Sequence, residues 1–221
     1  MTTGDDPDAD LLDTIARPVR TELEVTRSRF VTTLAPVTDQ AGIDTVLAEV
    51  RAEHHDARHH CVAWVLGADG RLTRSNDDGE PAGTAGAPML AVLTGAGLTD
   101  VIAVVSRYFG GTLLGAGGLV RAYGEATTKA VELAERVRRR WVKQVAVRAD
   151  HAAAGRLEHQ LRVWASAHGA AVAASAYDAG GATVTLVVPV AAVASLEELL
   201  ASVAAHVETE VGAAEIRDLV G

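Results

Sequence analysis

The alternation of apolar and polar positions divides the chain into short segments of changing period. TELEVTR (21–27) and RFVTTLAP (29–36) alternate in β-favouring residues and predict two strands. Ile43, Val46, Leu47 and Val50 then recur at helical spacing with Asp44 and Glu49 facing outward, so a helix follows. CVAWVLG (61–67) and RLTRSND (71–77) read as a hairpin around Ala68-Asp69-Gly70, because Asp-Gly supplies the positive φ of a tight turn. After the loop DDGEPAGTAG, a helix is predicted from about Ala85 to Ala96, with Pro88 tolerable only in its first turn. A strand over TDVIAVVSR, a glycine-rich stretch and a long helix to about Val137 complete this part.

Beyond residue 139 the texture becomes alanine-rich and poor in aromatics. The pattern predicts strand 141–149, helix 151–167, strand 170–177, strand 182–190, helix 191–205 and strand 207–217, with Gly180-Gly181 at the central hairpin. That order is βαββαβ, the ferredoxin-like layout, which hosts many functions and decides none. The charged run ERVRRRWVK (135–143) marks the join, so two domains are expected, residues 16–139 and 140–221.

Composition narrows the function classes. With 48% hydrophobic and 22% charged residues the chain is globular, and no apolar run approaches the roughly 18 residues a membrane span needs. The acidic start, MTTGDDPDAD, is unlike a secretory signal, so a cytosolic location without membrane contact is expected. Cys61 is the single cysteine, which excludes an intramolecular disulfide and a cysteine-rich zinc site. The net charge of −9 argues against a general polyanion binder, yet Asp5, Asp6, Asp8, Asp10 and Asp13 account for all but −4 of it. They lie in a segment, residues 1–15, that reads as a disordered acidic tail.

The densest candidate chemistry is VVSRYFGGTLLGAGGLVRAYG at 104–124. A P-loop fails for want of its Lys, and a dinucleotide fingerprint fails because Val120 stands where the third glycine belongs. Two compatible readings stay open. In one, the first glycines let amides at a helix start approach an anion, with Arg107 and Arg121 bracketing the loop and Tyr108 and Phe109 available to stack on a base or peptide. In the other, Gly117, Arg121, Gly124 and Thr128 form a face by which a helix approaches a sheet closely, so that Gly117→Val disrupts folding. Asp77, Asp78 and Glu80, around Gly79, offer three carboxylates for Mg²⁺, or else an ordinary turn followed by Thr84 as an N-cap. His54, His55, His59, His60 and Cys61 suggest a metal or nucleophile cluster but fit better as a frayed helix end and a buried strand. No G-x-S-x-G signal occurs.

RSRF (27–30), DARHHCVAWV (56–65), NDDGEPAGTAGAPML (76–90) and VSRYFGGTLLGAGGLVRAYG (105–124) together resemble the IMPACT/YigZ family, which is linked to translational control. The resemblance runs over roughly residues 17–135, and the C-terminal part is similar to the small domain that bacterial members append. It implies an α+β protein of two α/β sandwich domains. The first is expected to look like domain IV of elongation factor G, with a ribosomal-protein-like, left-handed βαβ. The second is expected to be the ferredoxin-like βαββαβ unit. Eukaryotic relatives carry an additional N-terminal domain and restrain a starvation-sensing kinase. The motifs here begin almost at once, so that domain is not expected and the kinase role is not carried over. The family offers no catalytic residue to transfer.

The expectation is a cytosolic, non-enzymatic binding protein without cofactor or metal, engaging ribosome, structured RNA or a translation factor. Its contact surface is expected at Arg107, Tyr108, Phe109, Gly110, Gly111, Gly115, Gly117, Gly118 and Arg121. The alternative is a Mg-dependent phosphate-ester or nucleotide enzyme that uses Asp77, Asp78 and Glu80 beside the glycine loop.

Overall fold

The computed structural model describes residues 11–203 and 207–219. Most of the expected acidic tail, residues 1–10, lies outside them, as do residues 204–206 at the end of the last expected helix. Within the described part the tail expectation is corrected at residues 14 and 15. Thr14–Ile15 form a short strand, β1, antiparallel to Val137 and Arg136, because Ile15 finds a core to enter and is 2% exposed. The described residues are mixed α/β, with two sheets and five α-helices. They fall into two compact units, one up to Arg139 and one from Arg140 to Asp218.

In the first unit the order is β2 (Val19–Val25), β3 (Ser28–Pro36), α1 (Gln40–Glu53), β4 (His59–Leu66), β5 (Leu72–Asn76), α2 (Gly86–Gly95), β6 (Val101–Tyr108) and α3 (Gly115–Leu133). The strands form a sheet ordered β2-β3-β6-β4-β5, and each neighbouring pair is antiparallel. β6 occupies the centre because VIAVV is apolar at every position and can be buried on both faces. Its side chains alternate between two cores. Val101, Ala103 and Val105 meet Met89 and Leu93 of α2 and Leu119, Ala122 and Tyr123 of α3. Ile102 and Val104 meet Ile43 and Val50 of α1. The sheet is therefore sandwiched between α1 on one side and α2 with α3 on the other.

Helix α3 ends at Leu133 and not near Val137, since Ala134 is already extended and the following residues alternate, with Val137 buried between exposed Arg136 and Arg138. The period had changed to two, so the charged run is strand. It opens β7 (Arg136–Ala149). The N-cap expected at Thr84 also shifts. Ala85 stands at the N-cap of α2, Thr84 Oγ1 donates to the Pro81 carbonyl, and Pro88 lies in the first turn.

The second unit continues through α4 (His151–His168), β8 (Ala171–Asp178), β9 (Gly181–Pro189), α5 (Val193–Ser202) and β10 (Val207–Leu219). Asp150 caps α4 by accepting from the Ala153 amide at 2.8 Å, and Gly169 ends it in the left-handed conformation, φ 65°. The strands lie in the order β8-β9-β7-β10. Leu157, Leu161 and Trp164 of α4 and Leu196 and Leu200 of α5 share one core with Val145, Val147, Val184, Leu186 and Val188. No described helix is long and apolar enough to cross a membrane.

Candidate functional site

The glycines between β6 and α3 divide by task. A Cβ on Gly110 would collide with the backbone of Arg27 and Ser28, and its amide donates to Ser28 Oγ at 3.2 Å, so the loop is pinned against the β2–β3 turn. Gly111 and Gly115 adopt φ of 84° and 67°, which side chains rarely tolerate. Arg27 adds a side-chain clasp, donating from Nη2 to Thr112 Oγ1 at 2.9 Å. The packing face expected from Gly117, Arg121, Gly124 and Thr128 is overturned. α3 meets the sheet through Leu119, Ala122, Tyr123, Ala126, Thr127 and Ala130, the larger apolar stripe, whereas Gly117 and Arg121 are exposed. A Cβ on Gly117 would meet only Arg121 Nη1, at 3.7 Å.

The acidic loop serves as a joint, and its three carboxylates point to three different tasks. Asp77 accepts from the amides of Gly83, Ala85 and Gly86 at 2.8, 3.0 and 2.8 Å, doing for α2 what Thr84 does not. Burial alone would raise the Asp77 carboxyl, but these three donors outweigh it and hold it below the usual range. Asp78 accepts from the His60 amide at 2.6 Å and meets Arg51 at 3.3 Å. Gly79, φ 85°, turns the chain beside the His59 ring. Glu80 is buried, and its Oε1 accepts from Arg107 Nη1 at 2.7 Å and Tyr123 Oη at 2.8 Å. The Mg²⁺ expectation for this trio is therefore corrected: the carboxylates do not converge, and no group of acidic, histidine or cysteine side chains among the described residues is arranged to hold a metal.

The histidines separate as well. His54 shares a hydrogen bond with Tyr108 Oη, His59 Nδ1 donates to the Asp78 carbonyl, His60 shares one with Ser106 Oγ, and His55 is exposed. Cys61 is fully buried, with Sγ 3.0 Å from the Asp77 carbonyl and 3.3 Å from Tyr123 Oη. Burial pushes its thiol up to about 12, which removes it as a nucleophile at neutral pH.

Arg107, expected to bracket the loop as a contact residue, is largely withdrawn from solvent. It is 6% exposed, paired with Glu80, and lies between the rings of Phe30 and Phe109 at 5.5 and 5.7 Å. It forms one wall of a cavity of about 490 Å³ that Arg58, His59, Glu80, Pro81 and Phe109 also line. Leu113, Leu114, Gly115, Ala116 and Leu119 complete the lining. Of the expected contact residues, Arg107, Phe109 and Gly115 thus meet at one cavity, with Glu80 from the acidic loop. Gly110 and Gly111 shape the loop, while Tyr108 turns to a surface group with Asp56 and Arg29. Gly117, Gly118 and Arg121 do not line the cavity. Phe109 and Leu113 are 38% and 87% exposed, an unusual amount of apolar surface for one short loop.

Arg58, over the Phe109 ring at 5.5 Å, and Leu113 were not singled out from the sequence. Arg58 reaches the site because His59 pairs with Arg107 across β4 and β6, a register that the local sequence does not state.

Comparison with known proteins places this arrangement. The Impact N-terminal domain profile matches residues 26–131, which holds the glycine loop, the acidic loop and most of the first sheet. An IMPACT family member of Thermus thermophilus, from the pol 5′ region, is 40% identical over 139 residues, 62% of this chain and 74% of that protein. The chain belongs to the IMPACT family. The family member YigZ of Escherichia coli is 53% identical over 118 residues, 52% of this chain. The chain spans less than two thirds of that relative, 58% of its length. Among solved structures, that of a hypothetical protein is 36% identical, and the match takes in 94% of this chain and 98% of that one with a TM-score of 0.60.

Proposed function

We propose that this IMPACT family protein is a non-enzymatic binding protein of the translation apparatus, engaging a ribosome, a structured RNA or a translation factor through the β6–α3 loop. The observation that carries the reading is the loop itself. Gly110 and Arg27 brace a short segment that presents Phe109 and Leu113 to solvent, and the helix that follows carries exposed Arg121. A pinned, part-apolar loop with a guanidinium suits recognition, because its ordering cost is met before the partner arrives. The enzyme alternative has lost its support, since Asp77, Asp78 and Glu80 each serve the fold. Family membership supports the link with translation, and the action is read as regulatory.

The finer fold description belongs to the same proposal. The first unit is read as resembling domain IV of elongation factor G, and the second as ferredoxin-like. Supporting the second are the βαββαβ order, the strand order β8-β9-β7-β10 and the single core shared by α4 and α5. Affinity capture of the intact protein from lysate, with and without nuclease, tests the function. Retention of ribosomal or factor proteins is the expected result, and capture of only unrelated metabolic proteins would remove the reading.

A further inference from the structure

The helix end that closes the cavity lacks a cap. Leu114 occupies the N-cap of α3 with no side-chain hydrogen bond, and the first turn holds no acidic residue. Gly115 and Ala116 of that first turn line the cavity, so the positive end of a 19-residue helix dipole lies there with no acidic side chain to offset it. Independently, the same cavity is lined by a guanidinium short of acceptors. The Arg107 side chain is 7% exposed, its one hydrogen bond among the described residues is Nη1 to Glu80 Oε1, and its Nε is buried with no partner. A guanidinium carries five donors, and leaving them unpaired away from water is costly. Arg58 stands over Phe109 at the same cavity and makes no ion pair among the described residues.

Charge and lining select the ligand. Among the permanently charged groups Arg107 and Glu80 cancel, leaving the single positive charge of Arg58. The remaining wall is largely apolar, including Pro81, Phe109 and Leu119. The volume of about 490 Å³ lies inside the range of small-ligand cavities, roughly 300–1,000 Å³. We infer that this cavity binds an apolar molecule ending in one carboxylate, either a free acid or a peptide C-terminus. The carboxylate lies against the α3 amides, Arg107 and Arg58, and the apolar body along Phe109 and Leu119. A phosphate monoester fits less well, because its second charge would find no counterpart.

The inference goes beyond the translational reading and stands without it. Acid binding by a protein that ignores ribosomes would keep this site and remove that role, and the reverse result would do the opposite. The test is calorimetry on the full chain with two acids, 4-phenylbutanoate and N-acetyl-Leu-Phe, beside their amides and phenyl phosphate. At least one acid is expected to bind, about tenfold or more tightly than its amide, as a charge-assisted contact requires. The acid that binds names the source. Its addition should shift the Arg107 Nε–H resonance, which an effect on the outer loop alone would leave in place. Arg58→Gln should weaken binding several-fold, and Ala116→Phe, in the exposed first turn of α3, should abolish it while the protein stays folded. No binding of either acid, equal binding of acid and amide, tighter binding of phenyl phosphate, or binding unaffected by Ala116→Phe would each overturn the inference.

Discussion

Arg107 and Glu80 illustrate how a motif residue changes meaning when its neighbours are known. Each is nearly free of solvent, and they are joined at 2.7 Å. Removing one leaves the other charged and buried, so Arg107→Met is expected to cost about 3–5 kcal/mol by urea unfolding. Arg107→Met with Glu80→Leu should cost clearly less, and equal losses in the single and double variants would contradict the pairing. The acidic loop carries a pH dependence. The Asp77 carboxyl is depressed in the fold, so its contribution is present above the ordinary carboxylate range and is lost as pH falls through the depressed value. Burial likewise holds His60 below its usual value, so protonating it on acidification also opposes folding. Stability should therefore decline as pH falls below neutrality and steepen in the carboxylate range, and Asp77→Asn should flatten the steep part while lowering the neutral-pH plateau. A pH profile of urea midpoints identical to wild type would contradict this. Arg107, Asp77 and Glu80 are visible in the sequence as residue types, but Arg107 and Glu80 pair across 27 positions and Asp77 takes backbone amides six to nine residues on, and no local pattern states either.

At the scale of elements, periodicity carried far. The central strand was legible in VIAVV and α4 in the pattern over 151–167, because each signal is local. The turn between β2 and β3 was not. Thr26 and Arg27 both adopt positive φ, 49° and 66°, without the Asn or Gly that normally announces such a turn. Glycine spacing points to the wrong face of α3, because the apolar stripe through Leu119, Tyr123 and Ala126 is what the core buries. That correction has a measurable form. Gly117→Ala should raise stability by about 0.5–1 kcal/mol, since an exposed helical glycine loses backbone freedom for no packing return. Gly110→Ala should lower it by about 1–3 kcal/mol, because its Cβ has nowhere to go. Thermal unfolding of the two variants decides, and similar shifts would contradict the division of labour among the glycines.

For the whole molecule, each compact unit has its own core, which motivates independent folding as a proposal. Val137 pairs with Thr14 and Arg139 binds Asp100 at 2.6 Å, so a first-unit fragment has to run through Arg139. Such a fragment is expected to unfold in one cooperative transition, and a molten, non-cooperative fragment would count against two domains. The role proposed for the β6–α3 loop is that of a contact surface for the translation apparatus. It is tested most directly by co-sedimentation of the full chain with ribosomes at moderate salt, comparing wild type with Leu113→Ser/Arg121→Ala. Both positions are exposed, so the variant should keep its melting temperature. Wild type is expected to sediment with ribosomes while the variant remains in the supernatant. No association of wild type, or equal association of a folded variant, would contradict it.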